Sequence, residues 1–200
     1  DCDHVVCNDR KGGNMMTKHL LELGHKRIGF VYDSILEQSS EVLERIDGFR
    51  GALSEYGIEF DHSHLIPFNL HYHVDNMSYE NILKDNPEFA ERMTREDRPT
   101  ALFVCNDITA SSVYIALKKI GLRIPDDVSV GGYEGVYLGS IMDPPLTTIA
   151  SPIQEMGEKA CKTLIDKIEG IMPESPSVQI KIDPKLLVRG STSGPGRSTV

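Results

Sequence analysis

Apolar residues along this chain recur in two patterns, short unbroken runs and longer stretches at helical spacing, and the two alternate. The clearest case is residues 99–134. Ala101 to Cys105 is an apolar run bounded by Pro99 and by Asn106-Asp107, the length and boundaries of a strand buried on both faces. Asp107 is placed to cap a helix, Val113, Ala116, Leu117 and Ile120 recur at helical spacing, and Gly121 supplies a left-handed stop. Pro125 closes the connection and Val128 to Gly132 forms a second strand. Two successive strands joined by a helix run parallel with a right-handed crossover, so both end at one edge of the sheet. Ligands bind at that edge in open α/β sheets. The strands deliver Asn106, Asp107, Tyr133 and Glu134 there, a set of amide, carboxyl and phenol groups suited to hydroxyls and poorly suited to phosphate.

The same alternation runs through the rest of the chain. Val5 to Cys7 reads as a strand end with Asn8-Asp9 at its tip, and Gly12-Gly13 opens a helix through Met15, Met16, Leu20, Leu21 and Leu23 to Gly24. Arg27 to Tyr32 is a strand, Asp33 to Ser40 a polar loop, and Val42, Ile46, Phe49, Leu53 and Tyr56 define a helix capped by Ser39 or Ser40. Leu65 to Leu70 is a weaker strand, and residues 71–97 are polar and predict one helix with a loop on each side. Tyr137 to Leu146 predicts a loop, because Pro144-Pro145 forbids helix. Thr147 to Ile149 is strand-like. Ser151-Pro152-Ile153-Gln154 has the form of a capping box with proline at the first helical position, opening a helix to Gly170. Residues 178–182 alternate as a half-exposed strand, and the tail 191–200, ending GPGRSTV, lacks an apolar anchor and is expected to be disordered. No internal repeat is apparent. A strand only a few residues from the first residue, without an earlier partner, suggests that elements precede it.

Composition narrows the function. Two hundred residues at 40% hydrophobic content can form a real core. The net charge is −9 with the basic residues scattered, which is not the footprint of a nucleic-acid-binding domain. DNA binding would have to reside on a segment absent from this chain. No apolar run approaches membrane-spanning length and the first residues are not a signal peptide, so a cytoplasmic protein without membrane contact is expected. Cys2, Cys7, Cys105 and Cys161 contain no CxxC pair, and reduced, buried thiols are expected. No nucleophile elbow, HExxH or phosphate-binding glycine loop is present. The chain is therefore expected to be neither an enzyme nor a cofactor carrier.

Six segments in order, HLLELGHKRIGFV, ERIDGFRGAL, PTALFVCNDITA, GLRIPDDVSVGGYE, PPLTTIASPIQEMG and LLVRGST, resemble the motifs of the effector-binding domain of the lactose/galactose-repressor family of bacterial transcription regulators. The resemblance covers nearly the whole chain. It implies an α/β, periplasmic-binding-protein-like fold of two lobes with a crossed hinge and the effector between them. Residues 25–149 and 175–190 would form a complete C-terminal lobe, a parallel sheet flanked by helices. Residues 1–24 and 151–172 would be a partial N-terminal lobe, leaving apolar surface exposed on helices 13–23 and 152–169. Lys11-Gly12-Gly13 is most similar to arabinose repressors that carry a gluconate-repressor-type head. A pentose or other sugar would then be the effector and the assembly a homodimer, through helix 108–120 and loop 137–141 with Val113, Tyr114, Tyr137 and Leu138 exposed. DNA would be bound only through a missing N-terminal head. A periplasmic binding protein serving a transporter shares the fold and is the alternative; an enzyme using Asp107 or Glu134 as base lacks partners for either group.

Carried over residue by residue, the resemblance implies ligand contacts from six positions. Asn106 corresponds to the amide that bonds effector, against its role as a plain turn residue. Arg45 corresponds to the arginine of Arg-x-x-Gly-Phe, whose fork binds two adjacent hydroxyls. Glu134 stands where the family usually has Asp, and it would reach the sugar or pair with Arg45. Lys11 is either a donor from the hinge side or a solvated lysine. Ser151 matches a position often occupied by Gln, although capping explains it equally. Tyr72 lies near the family's stacking aromatic, with His71 and His73 competing for the place. The pairs His71-x-His73 and His62-x-His64 have chelating spacing but no Cys or carboxylate partner, so no metal site is expected.

Overall fold

The computed structural model describes residues 2–70, 81–173 and 176–196. Its main sheet has six strands in the order β3 (Leu65–Phe68), β2 (Ile28–Asp33), β4 (Ala101–Val104), β5 (Ser129–Glu134), β6 (Thr147–Ala150) and β8 (Lys185–Leu187). The first five are mutually parallel, and β8 closes one edge antiparallel to β6. The short apolar run of β4 is buried on both faces as expected. Ala101, Phe103 and Cys105 point into one core, while Leu102 and Val104 point into the other, the period of two that a strand imposes.

The first core is covered by α1 (Asp9–Glu22) and α2 (Ser40–Glu55), through Met16, Leu20, Val42 and Phe49. The second is covered by α3 (Ile82–Asp85), α4 (Pro87–Thr94) and α5 (Asp107–Ile120), through Ile82, Phe89, Met93, Val113 and Leu117. Phe30 sits edge-on to Phe103 at 5.0 Å between centroids in one layer, and Phe68 edge-on to Phe89 at 5.2 Å in the other.

Beside this layered unit, β1 (His4–Cys7) and β7 (Gln179–Ile182) pair in parallel as a separate two-stranded sheet, and α7 (Ile153–Ile168) lies against β1. The chain passes between the two sheets three times: from β1 into α1, from β6 into α7 and from β7 into β8. These crossings bring Asn8, Ser151 and Asp183 together at one end of the main sheet.

Several expectations change here. Helix 13–23 was expected with the partial lobe and with exposed apolar surface, yet Met16 and Leu20 are fully buried, because α1 packs on α2 and the main sheet. The close approach requires glycine. A Cβ on Gly13 would run into the Arg45 carbonyl oxygen, and one on Gly48 into that of Arg10. For α7 the expectation of exposure holds: Ile153, Leu164, Ile165 and Ile168 are exposed, and so is Cys161, which was expected to be buried. Cys2 is also exposed, whereas Cys7 and Cys105 are buried.

Tyr137–Ile141 is a short helix, α6, since the proline constraint acts on the residues adjoining Pro144 and not further upstream. Val113 is buried rather than exposed, whereas Tyr137 and Ile141 are exposed. Where one helix was expected over 71–97, α3 and α4 are separated at Asn86, whose side chain bonds the backbone of Asn69; residues 71–80 lie outside the described residues. Residues 191–196 of the tail, expected to be disordered, are instead held against the main sheet. Ser191 is buried, its hydroxyl donating to the Val130 carbonyl and accepting from the Thr147 N–H, and the Ser193 N–H donates to the Ser129 hydroxyl. Among the described residues no helix is long and apolar enough to cross a membrane.

The glycines give a direct test of the α1–α2 contact. Gly48→Ala is expected to destabilise the chain by about 1–3 kcal/mol, the cost of overpacking. Gly157→Ala, in the open middle of α7 with nothing within 4 Å, is expected to stabilise it by up to ~1 kcal/mol through helix propensity. Urea unfolding of the two variants should move in opposite directions.

Candidate functional site

Phe103 pairs with Gly131 across β4 and β5, so Asn106 and Glu134, each three residues further on, stand at matching height at the edge where the parallel strands end. Ser151 follows Ala150, which pairs with Glu134. The sheet therefore brings three of the expected site residues together, and the chain crossings add Lys11 and Asp183.

Asn106, not Asp107, is the N-cap of α5: its Oδ1 accepts from the Thr109 N–H at 2.7 Å. Its amide nitrogen donates to no described residue, which leaves a donor for a ligand. Asp107 is fully buried one residue inside the helix, accepting from the Thr148 hydroxyl at 2.6 Å and from the Val136 N–H at 2.9 Å. Burial raises its pKa, and those two donors oppose the rise. It is a structural anchor between α5, β6 and the segment before α6.

Arg45 is the most constrained group of the site. Buried in the second turn of α2, it donates through Nε to Asp9 Oδ1 at 2.7 Å and through Nη1 to the Cys105 carbonyl at 2.7 Å. Its guanidinium lies 3.8 Å from the centre of the Tyr133 ring. Burial opposes the charge, but the Asp9 carboxylate outweighs it and the pKa is raised. The expected pairing with Glu134 is thus replaced by one with Asp9. The fork is largely spent inside the protein, and Nη2, bonded to no described residue, is what remains to offer.

Tyr133 does not reach the edge. It is fully buried beneath Arg45, its hydroxyl 3.7 Å from Cys7 Sγ, and burial pushes its pKa far up. Alternation explains this: Tyr133 belongs to the core face of β5, and Gly12 of α1 leaves room for its ring. Glu134 is part-buried with φ +102, a backbone conformation that costs a non-glycine residue about 1–3 kcal/mol. Its carbonyl accepts from the Ser151 N–H at 3.1 Å. Burial raises its carboxyl pKa and the charge of Arg45 opposes this.

Lys11 pairs with Asp183, which also accepts from the Asn8 side chain at 2.9 Å. It is half-exposed at the crossings and is held rather than simply solvated. The capping box expected at Ser151 is absent. The Ser151 N–H is spent on Glu134, and α7 begins two residues later behind Pro152 without a side-chain cap. Tyr72, His71 and His73 lie outside the described residues. His64 bonds Asp61 through its own short turn, and among the described residues no group of three His, Cys, Asp or Glu could hold a metal.

Sequence reading missed Asp9 and Asp183. A signal for Asp9 was present: Val6-Cys7-Asn8-Asp9 and Val104-Cys105-Asn106-Asp107 are the same tetrapeptide. Both end a strand, both use Asn to cap a helix, and both bury the following Asp, where a helix N-terminus favours a carboxylate.

A profile of the periplasmic binding protein-like domain matches residues 17–192. The chain belongs to that family. Its relatives include the ribose operon repressor of Haemophilus influenzae, 30% identical over 96% of this chain and 53% of the repressor. They also include the HTH-type transcriptional repressor PurR of Mannheimia succiniciproducens, 35% identical over 96% and 53%. The chain thus spans about half the length of the curated relatives it matches. A LacI family transcriptional regulator from Enterococcus faecium with bound ribose superposes with a TM-score of 0.76 at 32% identity, over 96% of this chain and 66% of that one. The domain is of the kind carried by LacI-family repressors, and these comparisons lend no support to the transporter alternative.

Two outcomes test the site's energetics. Asp9→Ala is expected to cost about 3–5 kcal/mol in urea unfolding by stranding a buried guanidinium, with a substantial part recovered in Asp9→Ala/Arg45→Met. Because the folded pKa of Glu134 is raised above its ordinary 4.5, its contribution to stability is fully present below that value and is lost as pH rises through the folded pKa. Wild type should therefore lose stability relative to Glu134→Gln between pH 4 and 7; a pH-independent difference would contradict this.

Proposed function

We propose that this chain is the effector-sensing domain of a cytoplasmic bacterial transcription repressor, and that its effector is a sugar, a pentose such as ribose or arabinose. The sugar binds where β4 and β5 end beside the three chain crossings. Asn106 donates from its free amide nitrogen, Glu134 accepts, and Arg45 offers Nη2 over the same edge. Lys11 and Ser151 border the site at the crossings, and Tyr72 is the aromatic proposed to cover the sugar's apolar face. The single observation that carries this reading is that Asn106 caps α5 with its oxygen while its nitrogen is left to donate.

The crossings join the two sheets by short segments, and a ligand that bonds both sides favours one relative arrangement over another. Closure is a population shift, so its size is set by the difference in affinity for the two arrangements. DNA binding belongs to a head outside this chain, and two copies pair through the surface bearing Tyr137, Leu138 and Ile141, which are exposed here. The reaction is binding, without turnover.

Asn106→Asp separates the two roles of that residue, because the carboxylate keeps the cap and loses the donor. In calorimetry of the chain against ribose, arabinose, galactose and hypoxanthine, a pentose is expected to bind best. Asn106→Asp should weaken it about ten-fold or more with the unfolding midpoint little changed. Undiminished pentose binding by this variant would remove Asn106 from the site, and preference for hypoxanthine would replace the sugar reading by a purine one.

A further inference from the structure

The opposite edge of the main sheet carries a second polar concavity. Because β2, β3 and β4 are parallel neighbours, the segments leading into them meet at the edge remote from Asn106 and Glu134. There a cleft of about 220 Å³ is lined by Lys26, Arg27 and Arg92 together with Ile28, His64 and Asp97. Three cationic side chains line one cleft in a chain whose net charge is −9.

The acidic groups nearby are already engaged. Asp97 accepts from Arg95 through both oxygens, at 2.9 and 3.2 Å, although it also feels the charge of Arg92. Asp61 accepts from the Ser63 N–H and hydroxyl and lies beside His64. Arg27 gives Nε to a neutral acceptor, the Arg98 carbonyl, at 3.0 Å. No salt bridge joins Lys26, Arg27 or Arg92 to a described residue. Arg92 Nε stands out further: among the described residues it is the buried side-chain nitrogen or oxygen without a hydrogen-bond partner. That one donor has lost water without gaining an acceptor, while the rest of the Arg92 side chain is only partly buried at the cleft.

We propose that this cleft binds a phosphate-type oxyanion, carried by a small phosphate monoester, with Arg92 as its principal donor and Lys26 and Arg27 supplying charge. A guanidinium fork matches two oxygens of such a group. The cleft has room for more than the phosphate group alone. The site lies across the sheet from the proposed sugar site and is independent of that reading.

The test is calorimetry and phosphorus NMR of the 200-residue chain with inorganic phosphate and with glycerol 3-phosphate, at constant ionic strength, with glycerol as control. Glycerol 3-phosphate is expected to bind more tightly than phosphate, and glycerol not at all. Arg92→Gln should weaken binding about ten-fold or more, Lys26→Gln by a smaller factor, and Asn106→Asp should leave it unchanged. Equal affinity for the two phosphates would keep the oxyanion site and remove the ester from it. Absence of binding, full binding by both Arg92→Gln and Lys26→Gln, or loss of binding in Asn106→Asp would each overturn the proposal. Thermal melts of Arg92→Gln and Lys26→Gln establish that lost binding is not lost folding.

Discussion

A buried guanidinium holds the centre of this molecule. Arg45 is an isolated cost unless its charge and its N–H groups are met, and each group that meets them comes from a different element: the Asp9 carboxylate from α1, the Cys105 carbonyl from the end of β4 and the Tyr133 ring from β5. The contact fixes four elements at one level of the sheet. It also demands that α1 and α2 touch along their backbones, which is why glycine stands at 13 and 48. Tyr133 in turn lies flat beneath the guanidinium, against the space left by Gly12.

That arrangement decides which groups face outward. With Nε and Nη1 satisfied internally and Tyr133 covered, the edge is left with the nitrogen of Asn106, the carboxyl of Glu134 and one amino group of Arg45. The backbone at Glu134 is held in a left-handed conformation by its place between the last residues of β5 and the Ser151 N–H. The chain crossings lie beside these groups, the first and third tied by Asn8, Lys11 and Asp183 and the second bonded to Glu134 through Ser151. The groups proposed to bond a ligand and the segments that join the two sheets are therefore neighbours, the arrangement that the proposed sensing needs.

Much of the fold was legible because its signals are local. The continuous apolar run at 101–105 and the helix ending at Gly121 needed only neighbours in the chain to be read, and parallel pairing followed from their order. Where the reading failed, the deciding contact was distant. The cap of α5 is Asn106 and not Asp107 because Asp107 turns to Thr148, 41 residues on. Ser151 does not cap α7: the cap position falls on Pro152, and Ser151 is tied through its N–H to Glu134. The start of the tail is held in place because Ser191 and Ser193 find partners at Val130, Thr147 and Ser129.

By itself, then, the sequence determined the alternation of strand and helix, the edge at which the strands end and the presence of Asn106 and Glu134 there, since these follow from periodicity and from the handedness of short crossovers. Only the tertiary structure decided that α1 belongs with the main sheet, that Asp9 rather than Glu134 neutralises Arg45, and that Tyr133 is buried while the nitrogen of Asn106 is left to donate. A pattern of apolar positions specifies that a face is covered but not by what. Which carboxylate meets a buried cation is settled by distance and desolvation between residues far apart in the chain.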